Sequence, residues 1–216
     1  MSAISKREAY KTVEKPGEAV FIDRKSKFIA HTKPVKTEQE ALDFLQEMRS
    51  EYSDANHNVY AYVIAENNIF RYSDDGEPGG TAGMPVLDTL RKDGIVDVIT
   101  VVTRYFGGTL LGTGGLVHAY TAAASESLEN AGKITRILCD VSDVTVDYSL
   151  SGKVQYLIAT KGYFLEKTDY SETVTFTVCT EKKETAGFEK ELSEACAGRA
   201  AVRKAGERYI DKKLSD

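Results

Sequence analysis

No stretch of this sequence stays apolar for the roughly 18 residues that a bilayer crossing requires, so no membrane-spanning helix is expected. The start, Met1 to Lys15, is polar and mixed in charge and does not read as a signal peptide. Cysteine is scarce. Cys139, Cys179 and Cys196 are too few and too scattered for a disulfide framework or a zinc site, and each has neighbours that read as strand or helix core. That usage points to a reducing compartment, the cytoplasm. An excess of positive charge is missing as well: 28 Lys and Arg stand against 33 Asp and Glu, a net charge of −5. Up to Arg136 there are 16 basic and 19 acidic residues, and beyond it 12 and 14, so neither part is a general polycation. A nucleic-acid partner would have to be met by a local patch. The familiar nucleotide and nucleophile signatures are also lacking. No Lys-Ser/Thr follows a Gly-x4-Gly spacing, Val117 stands where Gly112-x-Gly114 would need its third glycine, and Gly-x-Ser-x-Gly does not occur.

What is present suits a folded chain of two modest domains: 216 residues, 42% hydrophobic and 28% charged. Ala19–Ile22 and Lys27–His31 read as short strands around a charged turn. Thr37 opens a helix through a capping box with Glu40, and Ala41, Phe44, Leu45 and Met48 give it one apolar face. Val59–Ala65 and Asn68–Tyr72 form an expected hairpin turning at Glu66–Asn67. A short helix over Met84–Lys92 follows, then the Val/Ile run Ile95–Thr103, which reads as a strand buried on both faces. A helix carrying Leu116, Tyr120, Ala123, Ala124 and Leu128 inward ends at Gly132.

Composition changes near Lys133–Ile137, which places a boundary between a first domain at 1–136 and a second at 137–216. The second reads as strand (Leu138–Tyr148), helix (Ser151–Lys161), strands (Tyr163–Lys167 and Thr173–Cys179), helix (Lys182–Ala197) and strand (Arg199–Tyr209). This β-α-β-β-α-β order is the split βαβ pattern of ferredoxin-like domains, so the fold class is α+β.

Two segments depart from ordinary core-and-surface patterning, Arg71–Gly83 and Thr103–Gly115. The second carries Gly107, Gly108, Gly112, Gly114 and Gly115 and runs from a buried strand into a helix. Such a loop can present backbone amides to an anion at the helix N-terminus, with Thr113 as cap and Arg104 as a fixed positive charge; it can equally be a tight turn that needs glycine for packing. Asp74, Asp75 and Glu77 form an acidic cluster able to hold Mg²⁺ or Ca²⁺, to place a general base, or to pair with Arg71 or Arg104. His57 and His118 stand near these loops, where locally satisfied histidines are the commoner outcome. Tyr60, Tyr62, Tyr72, Tyr105 and Phe106 add aromatics.

Taken together, Arg71-Tyr-Ser-Asp-Asp-Gly-Glu-Pro-Gly-Gly-Thr-Ala-Gly83 and Val101-Val-Thr-Arg-Tyr-Phe-Gly-Gly-Thr-Leu-Leu-Gly-Thr-Gly-Gly-Leu-Val-His-Ala-Tyr120 closely resemble the IMPACT/YigZ family. Ser26-Lys-Phe-Ile-Ala30 and His57-Asn-Val-Tyr-Ala-Tyr62 match other recurrent segments, and the resemblance covers essentially the whole chain in its bacterial form. It implies an N-terminal ribosomal protein S5 domain 2-like domain followed by a ferredoxin-like domain similar to the last domain of elongation factor G. In eukaryotes the family restrains a starvation-responsive kinase by competing for its ribosome-associated activator; that kinase pathway is eukaryotic and does not transfer. The resemblance maps the binding surface onto Arg71, Asp74, Asp75, Glu77, Arg104, Tyr105 and the quoted glycines, Gly107, Gly108, Gly112, Gly114 and Gly115 among them; Thr113 and His118, at the start of the glycine-led helix, join the candidate site from the reading of the residues. The expectation is a translation-associated protein that binds ribosome, rRNA or a ribosome-associated protein, without catalysis, cofactor or membrane. The alternative is an enzyme acting on a phosphorylated or nucleotide substrate, with Asp74 or Asp75 holding Mg²⁺.

Overall fold

The computed structural model describes residues 7–213; residues 1–6, which open the polar stretch Met1–Lys15, lie outside it, as do 214–216. The described chain is α+β and divides into two compact units, one of residues 10–135 with 212–213 and one of 7–9 with 136–211.

The first unit is built on an antiparallel sheet in the order β2 (Gly17–Asp23), β3 (Ser26–Pro34), β6 (Val98–Tyr105), β4 (His57–Ile64) and β5 (Ile69–Ser73). The preceding strand β1 (Ala9–Val13) falls in a stretch whose sequence shows no strand pattern. It is fixed by distant partners, since it pairs with β7 (Lys133–Val146), while Lys11 forms an isolated bridge with Ile95 and its carbonyl accepts from the Val96 N–H, and a local pattern cannot reveal such pairing.

Helix α1 (Glu38–Glu51) begins where the capping residue predicts. The Glu40 N–H donates to Thr37 Oγ1 at 3.2 Å, while the Glu40 carboxylate accepts from the Lys36 N–H, one residue earlier than a capping box places it. The inward face of α1 packs on one side of the sheet with Tyr62, Ile64, Ile99 and Val101. Helices α2 (Gly83–Lys92) and α3 (Gly112–Ala131) cover the other side, against Ala30, Val59, Ala61, Val98 and Val102. Central strand β6 is therefore buried on both faces, as its Val/Ile run suggests. Its alternation sorts Ile99, Val101 and Thr103 towards α1, and Val98, Thr100, Val102 and Arg104 towards α3. Thr100 confirms that direction through Thr32 Oγ1, which bonds both Thr100 and Ser127 of α3 at 2.8 Å.

The second unit follows β7 (Lys133–Val146), α4 (Tyr148–Lys161), β8 (Phe164–Tyr170), β9 (Val174–Glu181), α5 (Thr185–Cys196) and β10 (Ala201–Lys213). Strand β7 lies between β10 and β9, and β8 is outermost, the ferredoxin-like arrangement of the expected β-α-β-β-α-β order. Val144, Val146, Val174, Phe176 and Val178 meet the inner faces of α4 and α5 around Phe188. All three cysteines are buried thiols. Burial pushes Cys139 up to about 11, and also raises Cys179.

Gly17 shows how closely α3 sits on the sheet. A Cβ there would lie 2.3 Å from the Ala131 amide nitrogen and 2.4 Å from the Ser127 carbonyl oxygen, both main-chain atoms that cannot step aside. Gly17→Ala should therefore lower stability by about 1–3 kcal/mol, the range for overpacking. Urea unfolding monitored by circular dichroism measures it, and an unchanged midpoint would show that α3 shifts freely.

Candidate functional site

The register of the first sheet sets the site. Arg104 is the partner of Phe28 on β3 and of His57 on β4, so the three lie side by side at one end of the strands. Because Arg104 continues the row of β6 residues that faces α3, its guanidinium turns inward and its side chain is only 6% exposed. It lies 5.4 Å from the Phe28 ring and 5.5 Å from the Phe106 ring. Nη1 donates to Glu77 Oε1 at 2.6 Å, and Nη2 to Ser26 Oγ at 3.4 Å. The same Glu77 oxygen accepts from Tyr120 Oη on α3 at 2.8 Å, and His57 Nε2 stands 3.8 Å away. Burial and the neighbouring Glu77 carboxylate push the Tyr120 phenol far upward, so it remains a donor. The expectation that Arg104 offers an open positive charge is thereby corrected. The strand carries it inside, where Glu77 neutralises it, not Asp74 or Asp75.

The two aspartates do different work. Asp74 accepts three backbone amides, from Gly80 at 2.9 Å, Ala82 at 3.0 Å and Gly83 at 2.8 Å. It thus supplies both a cap and a negative charge at the start of α2, which has no capping side chain of its own. Asp75, with φ of 45°, accepts from the Asn58 N–H at 2.7 Å and from Arg49 of α1 at 3.2 Å. The Asp75 carbonyl lies 2.8 Å from His57 Nδ1. A carbonyl only accepts, so Nδ1 carries the hydrogen, and Nε2 is the ring nitrogen that faces Glu77. Neither aspartate forms the expected pair with Arg71 or Arg104, and with N–H donors on their oxygens the alternative Mg²⁺ ligand role gains no support.

Beside this cluster is a cavity of about 450 Å³. Its floor includes His57, Glu77 and Arg104; its apolar wall comprises Phe106, Leu110, Leu111 and Leu116; Gly112 and Thr113 form the rim at the start of α3. Leu110 is 81% exposed and Phe106 45%. Helix α3 starts at Gly112, earlier than the sequence suggests, and Thr113 lies within its first turn and does not cap it. No side chain caps that end, and its first turn holds no acidic residue.

The loop glycines separate by cause. Gly107 is required by packing, since a Cβ would fall 2.1 Å from the Lys25 carbonyl carbon, and Gly112 is required by its φ of 75°. Gly79 and Gly114 have no positive φ, and a Cβ at either would have no atom within 4 Å. The remaining predicted residues lie apart from the cavity lining. Arg71 bonds the Phe70 carbonyl on β5, Tyr105 donates to Asp54 at 2.7 Å, and His118 meets the edge of Phe21 at a centroid distance of 5.8 Å. Asn56, Leu110 and Tyr120 carry no sequence signal that marks them as site residues. Tyr120 falls within the apolar face of α3, and only its hydroxyl, reaching 43 residues back to Glu77, gives it a polar role.

Residues 24–128 match the Impact N-terminal domain, and residues 144–199 match a domain of unknown function, DUF1949. The chain is 39% identical over 208 residues to the IMPACT family member YvyE of Bacillus subtilis, covering 96% of each. It is 32% identical to the IMPACT family member YigZ of Escherichia coli, across 81% of this chain and 87% of that one. A Dictyostelium discoideum protein named Protein IMPACT homolog is 42% identical over 101 residues, 44% of this chain and 29% of its own. Among solved structures, a crystal structure of a hypothetical protein superposes with a TM-score of 0.59 at 28% identity, covering 92% of this chain and 98% of the other.

Removing one member of a buried ion pair strands the other in a medium that cannot solvate it. Arg104→Ala should cost about 3–5 kcal/mol on that basis, whereas the double replacement Glu77→Leu with Arg104→Met should retain much more stability. Guanidinium unfolding of the two variants tests this; equal losses would mean that Glu77 is not stranded by loss of its partner.

Proposed function

Because the chain belongs to the IMPACT family, we propose that it is a translation-associated regulatory protein that docks on the ribosome or a ribosome-bound factor without catalysis. The observation that carries this reading is the contrast at the cavity. Its wall offers the exposed apolar side chains Phe106 and Leu110, while the ionisable pair Arg104 and Glu77 is already mutually bonded. An acid–base catalyst needs a group free to exchange a proton with substrate. Glu77 is held by Arg104 and Tyr120, Asp74 by three backbone amides, and Asp75 by the Asn58 amide and Arg49, which leaves His57 Nε2 facing the cavity. Docking through apolar contact asks nothing of those groups except rigidity. It also changes the expected character of the contact: with Arg104 paired inside, binding rests on Leu110 and Phe106 and not on phosphate neutralisation.

Co-sedimentation with ribosomes at low and moderate salt tests the reading. The wild-type chain should pellet with ribosomes, with only a shallow dependence on salt, since few phosphates would be neutralised. Leu110→Asp, a substitution at an 81% exposed position, should reduce the bound fraction about tenfold, the effect of losing a central apolar contact. Failure of the wild type to pellet, or equal pelleting of both proteins, would refute the proposal.

A further inference from the structure

We infer that this docking site continues past the cavity as a track for an extended polypeptide segment of about seven residues that carries apolar anchors and at least one basic residue. The inference rests on reading the cavity as a docking site, and it names the chemistry of the occupant.

A second and larger cavity, about 640 Å³, lies along α2 and α3. The same two chain segments line both cavities. Pro78 borders the first and Gly80 the second; Thr113 borders the first and Val117, one helical turn on, borders the second. Between these pairs stand Gly79 and Gly114, the two loop-region glycines that neither backbone conformation nor packing requires. Glycine within a helix costs stability relative to alanine, and Gly114 offers no structural return for it. A bare backbone at both points leaves a saddle over which a chain can pass from one cavity to the other.

Helix rise gives the length. From Thr113 to Leu128, the far end of the second cavity's wall on α3, fifteen steps at about 1.5 Å span roughly 22 Å. An extended polypeptide at about 3.3 Å per residue covers that distance with about seven residues. Apolar sockets lie at both ends: Phe106, Leu110 and Leu116 in the first cavity, Met84, Val117 and Leu128 in the second. Thr89, Thr121 and Ser125 line the stretch between with hydroxyls suited to main-chain groups.

Charge decides between polypeptide and nucleic acid. The two cavities are lined by four carboxylates (Glu77, Asp88, Asp93, Glu129) and three cations (Lys92, Arg104, Lys133). Arg104 is paired with Glu77, and Lys133 is held by Asp93 at 2.6 Å and by Glu129. Asp88 and Lys92, four residues apart on α2, are both exposed, and neither forms an ion pair among the described residues. A strand bearing a phosphate at every residue meets one unpaired cation, Lys92, in a lining where carboxylates outnumber cations four to three. A basic side chain finds Asp88.

Panning the full chain against a random heptapeptide library displayed on phage should enrich peptides with apolar residues near both ends and a Lys or Arg between them. For a fluorescein-labelled synthetic copy of the enriched peptide, anisotropy titration should give a Kd weakened at least tenfold by Gly79→Val and by Gly114→Leu. The thermal midpoint of Gly114→Leu should be no lower than that of wild type. Asp88→Lys should weaken that basic peptide but not a version with its Lys or Arg replaced by Gln. No enrichment, enrichment of acidic peptides, or affinity indifferent to both glycine substitutions would overturn the inference, as would displacement of the peptide by heptauridylate at equal concentration. Ribosome pelleting separates the two proposals. If Gly114→Leu pellets like wild type while Leu110→Asp does not, ribosome docking stands and the track falls; if wild type fails to pellet yet binds peptide with these sensitivities, the track stands and the ribosome reading falls.

Discussion

The geometry of the first unit depends on one buried contact, the 2.6 Å bond between Arg104 and Glu77. Each group would be severely penalised alone in that environment, so together they leave the surrounding chain little freedom. Glu77 belongs to the loop that leads into α2, Arg104 to the central strand, and Tyr120, bonded to the same carboxylate oxygen, to α3. Ser26 joins the arrangement from β3, accepting from Arg104 and from the Gly107 N–H at 3.1 Å. Two strands, a helix and both glycine-rich loops are thereby referred to a single ion pair. The glycine-rich segments, which would otherwise wander, become a fixed frame in which Leu110 and Phe106 can stand exposed.

Within that frame the acidic cluster divides its labour according to geometry that spacing alone does not reveal. Asp74 and Asp75 are neighbours, yet one terminates on the amides that begin α2 and the other on Asn58 and Arg49, residues of β4 and α1. The φ of 45° at Asp75 turns the chain between them. Its carbonyl also fixes the His57 ring, so the histidine is held by main chain on one side and looks into the cavity on the other. A sequence places three carboxylates in four residues; only the folded path decides which of them meets a guanidinium.

What was legible before the structure follows from the range over which each cause acts. The cap at Thr37, the apolar face of α1 and the two-sided burial of β6 are set by residues a turn or two apart, and they appear where the pattern puts them. The order of elements in the second unit was legible for the same reason. Long-range causes were not. Strand β1 exists because it meets β7 far along the chain, and Arg104 is internal because β6 continues through Tyr105 instead of ending at Thr103. Those two extra residues keep Arg104 in the row of Val98, Thr100 and Val102. They convert an expected surface cation into a structural one, and with it the expected phosphate contact into an apolar one.

The glycines argue in the same direction. A glycine that relieves a clash, as Gly107 does, or that permits a left-handed turn, as Gly112 does, is explained by the fold and says nothing about function. Gly114 lies in the first turn of a 20-residue helix where alanine would fit and would hold the helix better by a few tenths to about 1 kcal/mol. Gly79 has open space around it and an ordinary φ. Their lack of side chains acts outward, on whatever approaches the surface between the two cavities. A surface that keeps its backbone bare at two points between the cavities, beside an apolar wall and next to a buried charge pair, is shaped for contact with a chain more than for chemistry on a small molecule.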